Sequence, residues 1–222
     1  MGYGRKAAGL KPEETRTAYR VVAAGGTAEI TEKKSRFIAT VQPVHSQEEA
    51  AAFVESMRKK YWDATHNCSA YVIGRQGEIK RSSDDGEPSG TAGRPMLEVL
   101  LAQELCDVAV VVTRYFGGTL LGTGGLIRAY GRAVQEGLAA SRISTMTPMI
   151  LIRLGMEYSF VGKIKAVLAR EEAVVLEESY TDSVAMNVAV VDEKKEQLLK
   201  ELTEATGGRI ETEEKEMTYL AL

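Results

Sequence analysis

The segment from Thr113 to Arg132 constrains the fold more than any other part of the chain. It joins a run of mostly β-branched residues, 107–113, to an amphipathic helical pattern through five glycines. Glycine is needed where the backbone takes a positive φ or approaches another group closely. The first N–H groups of a helix and the positive end of its dipole attract anions. The segment therefore predicts a buried strand, a tight loop and a helix that begins at an anion site, formed by Arg114, Gly117, Gly118, Gly122, Gly124, Gly125 and Arg128.

The spacing of these glycines matches neither a dinucleotide-binding fingerprint nor a phosphate-binding loop of the Walker type. The same glycines also fit a second interpretation, in which they only allow a tight crossover from strand to helix with close packing. The pattern alone leaves both interpretations open.

A second glycine-rich loop, residues 82–95, contains three carboxylates and leads into another helical pattern. Asp84, Asp85 and Glu87 suit a hard cation or a bound water. They equally suit turn capping and an ion pair with an arginine. The residues that follow, Ser89, Gly90 and Thr91, supply backbone and hydroxyl groups for a phosphate at the start of the helix.

His66 and Cys68 are two residues apart, so they share one face of an extended segment. Such a pair can act as a thiolate and imidazole if a third group orients it. The paired ligand spacing of a zinc site is missing, and we predict no metal and no cofactor. The same two residues also fit a role in the core or in anchoring a loop. The candidate catalytic residues are His66, Cys68, Asp84, Asp85 and Glu87.

The pattern of apolar residues predicts alternating helices and strands along the whole chain. Residues 18–24 and 27–32 resemble a hairpin around Gly25 and Gly26, and Trp62 resembles a packing plug at a helix end. Mixed polarity from Ser141 to Thr147 marks a domain junction, with the next strand beginning at residue 149.

Beyond this junction the predicted order is β-α-β-β-α-β, which is the ferredoxin-like order. A double glycine, Gly207-Gly208, ends its second helix. We expect the scattered aromatic residues of this part, Tyr158, Phe160, Tyr180 and Tyr219, to pack in a core.

Four blocks of sequence resemble those of the YigZ/IMPACT family in content, order and spacing. They lie at residues 33–38, 64–70, 83–93 and 114–130, and read KKSRFI, ATHNCSA, SDDGEPSGTAG and RYFGGTLLGTGGLIRAY. The resemblance covers about residues 17–140 with specific motifs. The C-terminal third resembles the small extra domain of bacterial members through weaker motifs.

The resemblance implies an α+β protein with an N-terminal ribosomal protein S5 domain 2-like domain and a ferredoxin-like C-terminal domain similar to a domain of elongation factor G. We therefore expect a polar leader at 1–16 and domains at 17–145 and 146–222. The resemblance also implies a link to translation without a settled reaction. The eukaryotic members restrain a kinase of a translation initiation factor, partly through an extra N-terminal domain, and we do not expect the short leader to replace it.

Charge is distributed unevenly between the two predicted domains. Residues 1–145 carry 19 Lys and Arg against 16 Asp and Glu, a net of +3, and residues 146–222 carry 9 against 15, a net of −6. The surplus is too small for a dedicated duplex-binding protein, so a nucleic-acid site must depend on local cations such as Lys33, Lys34 and Arg36. The apolar runs are too short to span a membrane, and the two cysteines are too few for a disulfide framework, so we expect a cytoplasmic location.

Three functions fit the sequence. The first is a translation-associated regulatory protein that binds RNA or the ribosome through phosphate. The second is a metal-assisted hydrolase of a phosphorylated or peptide substrate. The third is a protein-interaction module that regulates a translation factor through an acidic C-terminal sheet. The sequence names no ligand, establishes no reaction and leaves the oligomeric state open.

Overall fold

The computed structural model describes residues 17–221 and has a mixed α+β fold in two compact units. One unit is Tyr19–Thr145, and the other takes in the chain from Met146 onward. Each unit has its own hydrophobic core. The predicted α+β class is confirmed, whereas the assignment of the units as separate domains stays a prediction. The predicted polar leader, 1–16, lies outside the described residues.

The first unit is built on a five-stranded sheet with the order β2-β3-β7-β4-β5. A short parallel pair, β1 with β6, lies outside this path. The elements are β1 (Tyr19–Ala24), β2 (Thr27–Glu32), β3 (Ser35–Pro43), α1 (Gln47–Lys60), β4 (His66–Ile73), β5 (Ile79–Ser83), α2 (Gly93–Ala102), β6 (Leu105–Cys106), β7 (Val108–Tyr115) and α3 (Thr123–Ala139).

Strand β7 is the centre of this unit and is buried on both faces. Val110 and Val112 pack in the cluster that contains residues of α2 and α3, whereas Ala109 and Val111 pack with residues of α1. Alternate side chains of a strand point to opposite faces, so helices cover both sides of the sheet. This double burial explains why the strand is a nearly continuous run of β-branched residues.

The second unit is a four-stranded antiparallel sheet in the order β11-β8-β10-β9. Its elements are β8 (Arg142–Met156), which begins before the division, a 3₁₀ turn (Tyr158–Phe160), α4 (Val161–Arg170), β9 (Val174–Tyr180), β10 (Val184–Val190), α5 (Asp192–Thr206) and β11 (Glu211–Ala221). This is the predicted β-α-β-β-α-β order. The left-handed Gly207 ends α5, as the double glycine predicts.

Four local predictions are wrong. The segment 18–24 pairs with β6 and not with β2. Gly25 serves a close approach to β3, since a Cβ there would lie 2.1 Å from the Val41 carbonyl oxygen. The strand predicted to begin at residue 149 begins at Arg142, so β8 runs through the predicted junction, within which the division between the two units falls. Tyr158 and Tyr180 are half exposed, although Phe160 is buried as expected. Trp62, which was predicted to pack against the protein at a helix end, is 81% exposed.

No helix in the described part of the chain is long and apolar enough to cross a membrane.

Candidate functional site

The buried carboxylate of Glu87 joins the two glycine-rich loops of the first unit. Its Oε1 accepts hydrogen bonds from Arg114 Nη1 at 2.6 Å and from the Tyr130 hydroxyl at 2.8 Å. Its other oxygen, Oε2, lies 3.8 Å from His66 Nε2. Strand β7 supplies the arginine, α3 the tyrosine and β4 the histidine. The structure thus brings together the acidic loop and the strand that leads into the second glycine loop.

Asp84 organises the backbone of its own loop. Its Oδ2 accepts from the Gly90 amide at 2.8 Å, and its Oδ1 accepts from the amides of Ala92 and Gly93 at 3.0 and 2.8 Å. Burial acts to raise the pKa of Asp84, but the three amide donors outweigh it and hold that pKa below its ordinary value. Helix α2 has no side-chain cap of its own, so Asp84 serves as its N-terminal acceptor.

Asp85 holds two neighbouring elements together. It forms an ion pair with Arg58 of α1 at 2.8 Å and accepts from the backbone amide of Asn67 at 2.6 Å. Its carbonyl oxygen lies 2.8 Å from His66 Nδ1. This is the capping and ion-pairing role that the sequence left open for the acidic loop.

A thiolate–imidazole pair is not formed by His66 and Cys68. The Cys68 sulfur lies 2.9 Å from the Asp84 carbonyl oxygen and 3.3 Å from the Tyr130 hydroxyl, and its hydrogen-bond partners do not include His66. Burial raises the pKa of the Cys68 thiol to about 12. A thiol that stays protonated is a poor nucleophile, so neither the geometry nor the pKa of Cys68 supports the catalytic interpretation of this pair.

The acidic loop does not form a metal centre in the structure. Among residues 17–221 no group of three His, Cys, Asp or Glu side chains is arranged to hold a metal ion. Both carboxylate oxygens of Asp84 and of Asp85, and Oε1 of Glu87, already accept hydrogen bonds from amides, arginines and a tyrosine.

Arg114 is buried and neutralised, which differs from the role predicted for it. Its guanidinium carbon lies 5.3 Å from the ring centre of Phe37 and 5.5 Å from that of Phe116. Its Nη2 donates to the Ser35 hydroxyl at 3.4 Å, while Nε has no partner among the described residues. Because Arg114 is buried and already paired with Glu87, it is not available to bind a phosphate group from the solvent.

Several other residues of the predicted phosphate site already have hydrogen-bond partners within the protein. Arg36 makes two hydrogen bonds to Glu29 and lies over the Tyr115 ring. The amide of Gly90 donates to Asp84, and both the amide and the hydroxyl of Thr91 donate to the Pro88 carbonyl. Ser89 is exposed on this loop. Two of the predicted cations, Lys34 and Arg128, are exposed and have no ion-pair partner within residues 17–221.

The second glycine loop keeps its backbone donors available. No hydrogen bond joins the amide N–H groups of residues 118–125 to another described residue; the first amide of this region that is bonded belongs to Leu126. Gly118 and Gly122 have positive φ angles of 80° and 73°. Gly117 approaches the Lys34 backbone so closely that a Cβ would lie 2.1 Å from the carbonyl oxygen. Gly124 borders Arg128, whose Nη1 would lie 3.5 Å from a Cβ at that position.

Three loops meet at this end of the sheet. The Gly117 amide donates to the Ser35 hydroxyl at 3.2 Å, and the Phe116 amide donates to the Thr65 hydroxyl at 3.1 Å. The Tyr115 hydroxyl donates to Asp63 at 2.9 Å. These contacts place the β2–β3 turn and the α1–β4 turn beside the glycine loop. We give the name glycine-loop rim to the exposed lysines and large apolar side chains of these loops: Lys33, Lys34, Trp62, Phe116 and Leu120.

Sequence reasoning missed the apolar part of the rim. Trp62, Phe116 and Leu120 are 81%, 46% and 82% exposed. Their positions could have indicated that they are exposed, because each lies in a polar or glycine-rich turn and outside any helical or strand periodicity.

Two family models match the chain in the order of its two units. The Impact N-terminal domain matches residues 33–138, and the Domain of unknown function (DUF1949) matches residues 154–209. The two glycine-rich loops fall inside the first match, and α4, β9, β10 and α5 fall inside the second. The chain belongs to the IMPACT family.

Bacterial relatives are similar over most of the length. IMPACT family member YvyE of Bacillus subtilis (strain 168) is 43% identical over 203 residues, which cover 91% of this chain and 94% of the relative. IMPACT family member YigZ of Escherichia coli (strain K12) is 38% identical over 181 residues, covering 81% and 89%.

A eukaryotic relative matches over a shorter span. Protein IMPACT-A of Xenopus tropicalis is 39% identical over 98 residues, which cover 42% of this chain and 30% of the relative. Among solved structures, the crystal structure of a hypothetical protein is similar with a TM-score of 0.55 and 36% identity, covering 88% of this chain and 96% of that one.

Proposed function

We propose that the chain is a translation-associated regulatory protein of the cytoplasm whose first unit binds RNA, free or in the ribosome, at the glycine-loop rim. The link to translation comes from the family to which the chain belongs. The single observation that carries the contact with RNA is the set of unbonded amides at residues 118–125, which open onto the start of α3. Phosphate is the group that such amides and the helix dipole favour.

Local charge supports this surface. Arg36, Arg58 and Arg114 are each paired with a carboxylate, so they contribute little to the attraction of a phosphate. Lys33, Lys34 and Arg128 are exposed and, within the described residues, have no acidic partner. These three cations lie near the free amides, Lys33 and Lys34 on the β2–β3 turn and Arg128 in α3. The net charge of −6 of residues 146–222 makes the second unit the less favourable one for phosphate.

The hydrolase alternative is not favoured by any observation of the site. Its three carboxylates act as acceptors for the loop, for Arg58 and for Arg114, and the Cys68 thiol is protonated at neutral pH. The protein-interaction alternative becomes an outcome of the test below.

Fluorescence anisotropy with a labelled oligouridine of twelve nucleotides tests the proposal. We expect the wild-type chain to bind and the triple variant K33Q/K34Q/R128Q to bind at least tenfold more weakly, since each phosphate contact contributes to affinity in low salt. Lys200 is exposed on α5 and provides the matched control, so Lys200→Gln is expected to bind as the wild type does.

Equal binding by the triple variant and the wild type would contradict the proposed site. Absence of binding to the oligonucleotide and to ribosomes, together with a protein partner that co-purifies after nuclease treatment, would favour the interaction module instead.

A further inference from the structure

The turn that carries Trp62 is held by hydrogen bonds of the neighbouring residues, while Trp62 itself is largely exposed to solvent. In the turn that follows α1, the Ala64 amide donates to the Tyr61 carbonyl at 3.1 Å and the Thr65 amide donates to the Arg114 carbonyl at 2.9 Å. Asp63 accepts from the Tyr115 hydroxyl at 2.9 Å. The turn is thus fixed on both sides of an indole that is 81% exposed. Exposing a tryptophan forgoes a large gain from burial, so the position calls for an explanation other than packing.

A second exposed ring lies on the neighbouring loop. The Phe116 amide donates to the Thr65 hydroxyl at 3.1 Å, which ties the glycine loop to the turn of Trp62. The Phe116 ring is 46% exposed and contacts the buried Arg114 guanidinium, 5.5 Å from the ring centre. Two fixed turns thus carry exposed aromatic residues at the end of the sheet where Lys33 and Lys34 lie.

This combination fits single-stranded RNA better than a duplex. Aromatic rings bind unpaired bases by stacking, and base faces are hidden inside a duplex. A duplex-binding surface needs many cations, whereas the rim has only Lys33 and Lys34, with Arg128 at the start of α3. An apolar protein surface suits the rings but leaves the lysines and the free amides without partners.

We propose that the glycine-loop rim binds single-stranded RNA, with an unpaired base stacked on Trp62 and the adjoining phosphates contacted by Lys33, Lys34 and the amides of the glycine loop. This inference rests on the proposed function and names its substrate class. Stacking is independent of base identity to a first approximation, so the rim binds with little sequence preference.

The protein contains a single tryptophan, so its intrinsic fluorescence reports on Trp62 directly. We expect oligouridine of twelve nucleotides to quench this fluorescence on binding. Inorganic polyphosphate, which has the charges but not the bases, is expected to bind without comparable quenching. A blunt twelve-base-pair RNA duplex is expected to bind more weakly than the single strand.

Variants separate stacking from charge. Trp62→Ala is expected to weaken the binding of oligouridine by about 5- to 150-fold, the range measured for loss of one stacked base. Trp62→Phe is expected to retain most of the affinity. Tyr158→Ala removes a half-exposed aromatic ring from the second unit and is expected to leave the affinity for oligouridine unchanged. The high exposure of Trp62 means that its replacement leaves the fold intact, which circular dichroism verifies.

Four results would overturn the stacking of a base on Trp62, and a fifth would also overturn the proposed binding of RNA. Binding without quenching, equal binding by Trp62→Ala, quenching by polyphosphate, or duplex binding as tight as that of the single strand would overturn the stacking inference and leave the phosphate contact standing. Absence of binding to any RNA would overturn the proposed function as well.

Discussion

At the residue scale, burial decides what the charged side chains of the first unit do. Arg36 and Arg114 both pair with a glutamate, but the pair of Arg36 with Glu29 is about half exposed, and that of Arg114 with Glu87 is nearly inaccessible to water. An exposed pair adds little stability, whereas removing one partner of a buried pair leaves an uncompensated charge. Glu87 is therefore a structural residue that fixes the two loops.

We expect Glu87→Gln to lower the free energy of unfolding by about 3–5 kcal/mol, because the buried Arg114 loses its counter-ion. The matched control, Glu29→Gln, is expected to lower it by less than about 1 kcal/mol, because Arg36 remains solvated. Urea denaturation followed by circular dichroism measures both. Equal losses in the two variants would show that the Arg114–Glu87 pair is not buried as described.

The thiols of Cys68 and Cys106 are expected to be unreactive in the folded protein. Burial raises the pKa of each to about 12, above the ordinary value of 9.0. Titration with Ellman's reagent at pH 8 is expected to detect neither thiol before denaturation and both after it. Rapid modification of Cys68 in the native protein would contradict its burial and reopen the catalytic interpretation.

The same pKa values predict an alkaline loss of stability. Above about pH 9 the unfolded chain ionises its thiols while the folded chain keeps them protonated, so rising pH favours unfolding. We expect the urea midpoint to fall from pH 8 to pH 10.5, and to fall less steeply in Cys106→Ala, which keeps only one buried thiol. An identical pH dependence in the variant would contradict the raised pKa of Cys106.

Individual residues were the hardest part to predict from the sequence. The pattern marked Arg114 as functional, but a sequence does not show that Glu87 is the partner across the sheet. Trp62 was misassigned because an aromatic residue at a helix end is usually buried. Both outcomes depend on tertiary contacts between segments that are distant in the chain.

At the element scale, the glycine loop differs from an ordinary crossover in how its glycines are used. Gly117 is needed for close approach to the β2–β3 turn, and Gly118 and Gly122 for their positive φ. Gly124 meets neither requirement, because a side chain there would make only an ordinary contact with Arg128. The sequence predicted a strand, a glycine loop and a helix correctly, but it did not distinguish these roles.

Gly117→Ala is expected to displace the loop, because the new Cβ would overlap the Lys34 carbonyl. We expect a loss of stability of about 1–3 kcal/mol and at least tenfold weaker RNA binding. Gly162→Ala, in α4 of the second unit, is the control and is expected to fold and bind as the wild type does, because a Cβ there would meet no atom within 4 Å. Thermal unfolding and fluorescence anisotropy measure the two effects. Normal RNA binding by a correctly folded Gly117→Ala would show that the loop geometry is not needed.

At the scale of the whole molecule, the α+β fold class and the order of helices and strands were predictable from the periodicity of apolar residues. The β-α-β-β-α-β order of the second unit was predictable because each element buries one regular face, as Val184, Met186 and Val188 show on β10. The pairing of β1 with β6 was not, since the sequence gives no register between distant strands. The distribution of charge was also informative, because the acidic excess falls in residues 146–222 and a small basic surplus falls in residues 1–145.

The salt dependence of RNA binding tests the central claim most directly. With Lys33, Lys34 and Arg128 each contacting one phosphate, a plot of log Kobs against log salt for oligouridine is expected to have a slope of about −2, and the triple variant K33Q/K34Q/R128Q a slope near zero. A wild-type slope near zero, or the same slope in both proteins, would contradict phosphate recognition at the glycine-loop rim.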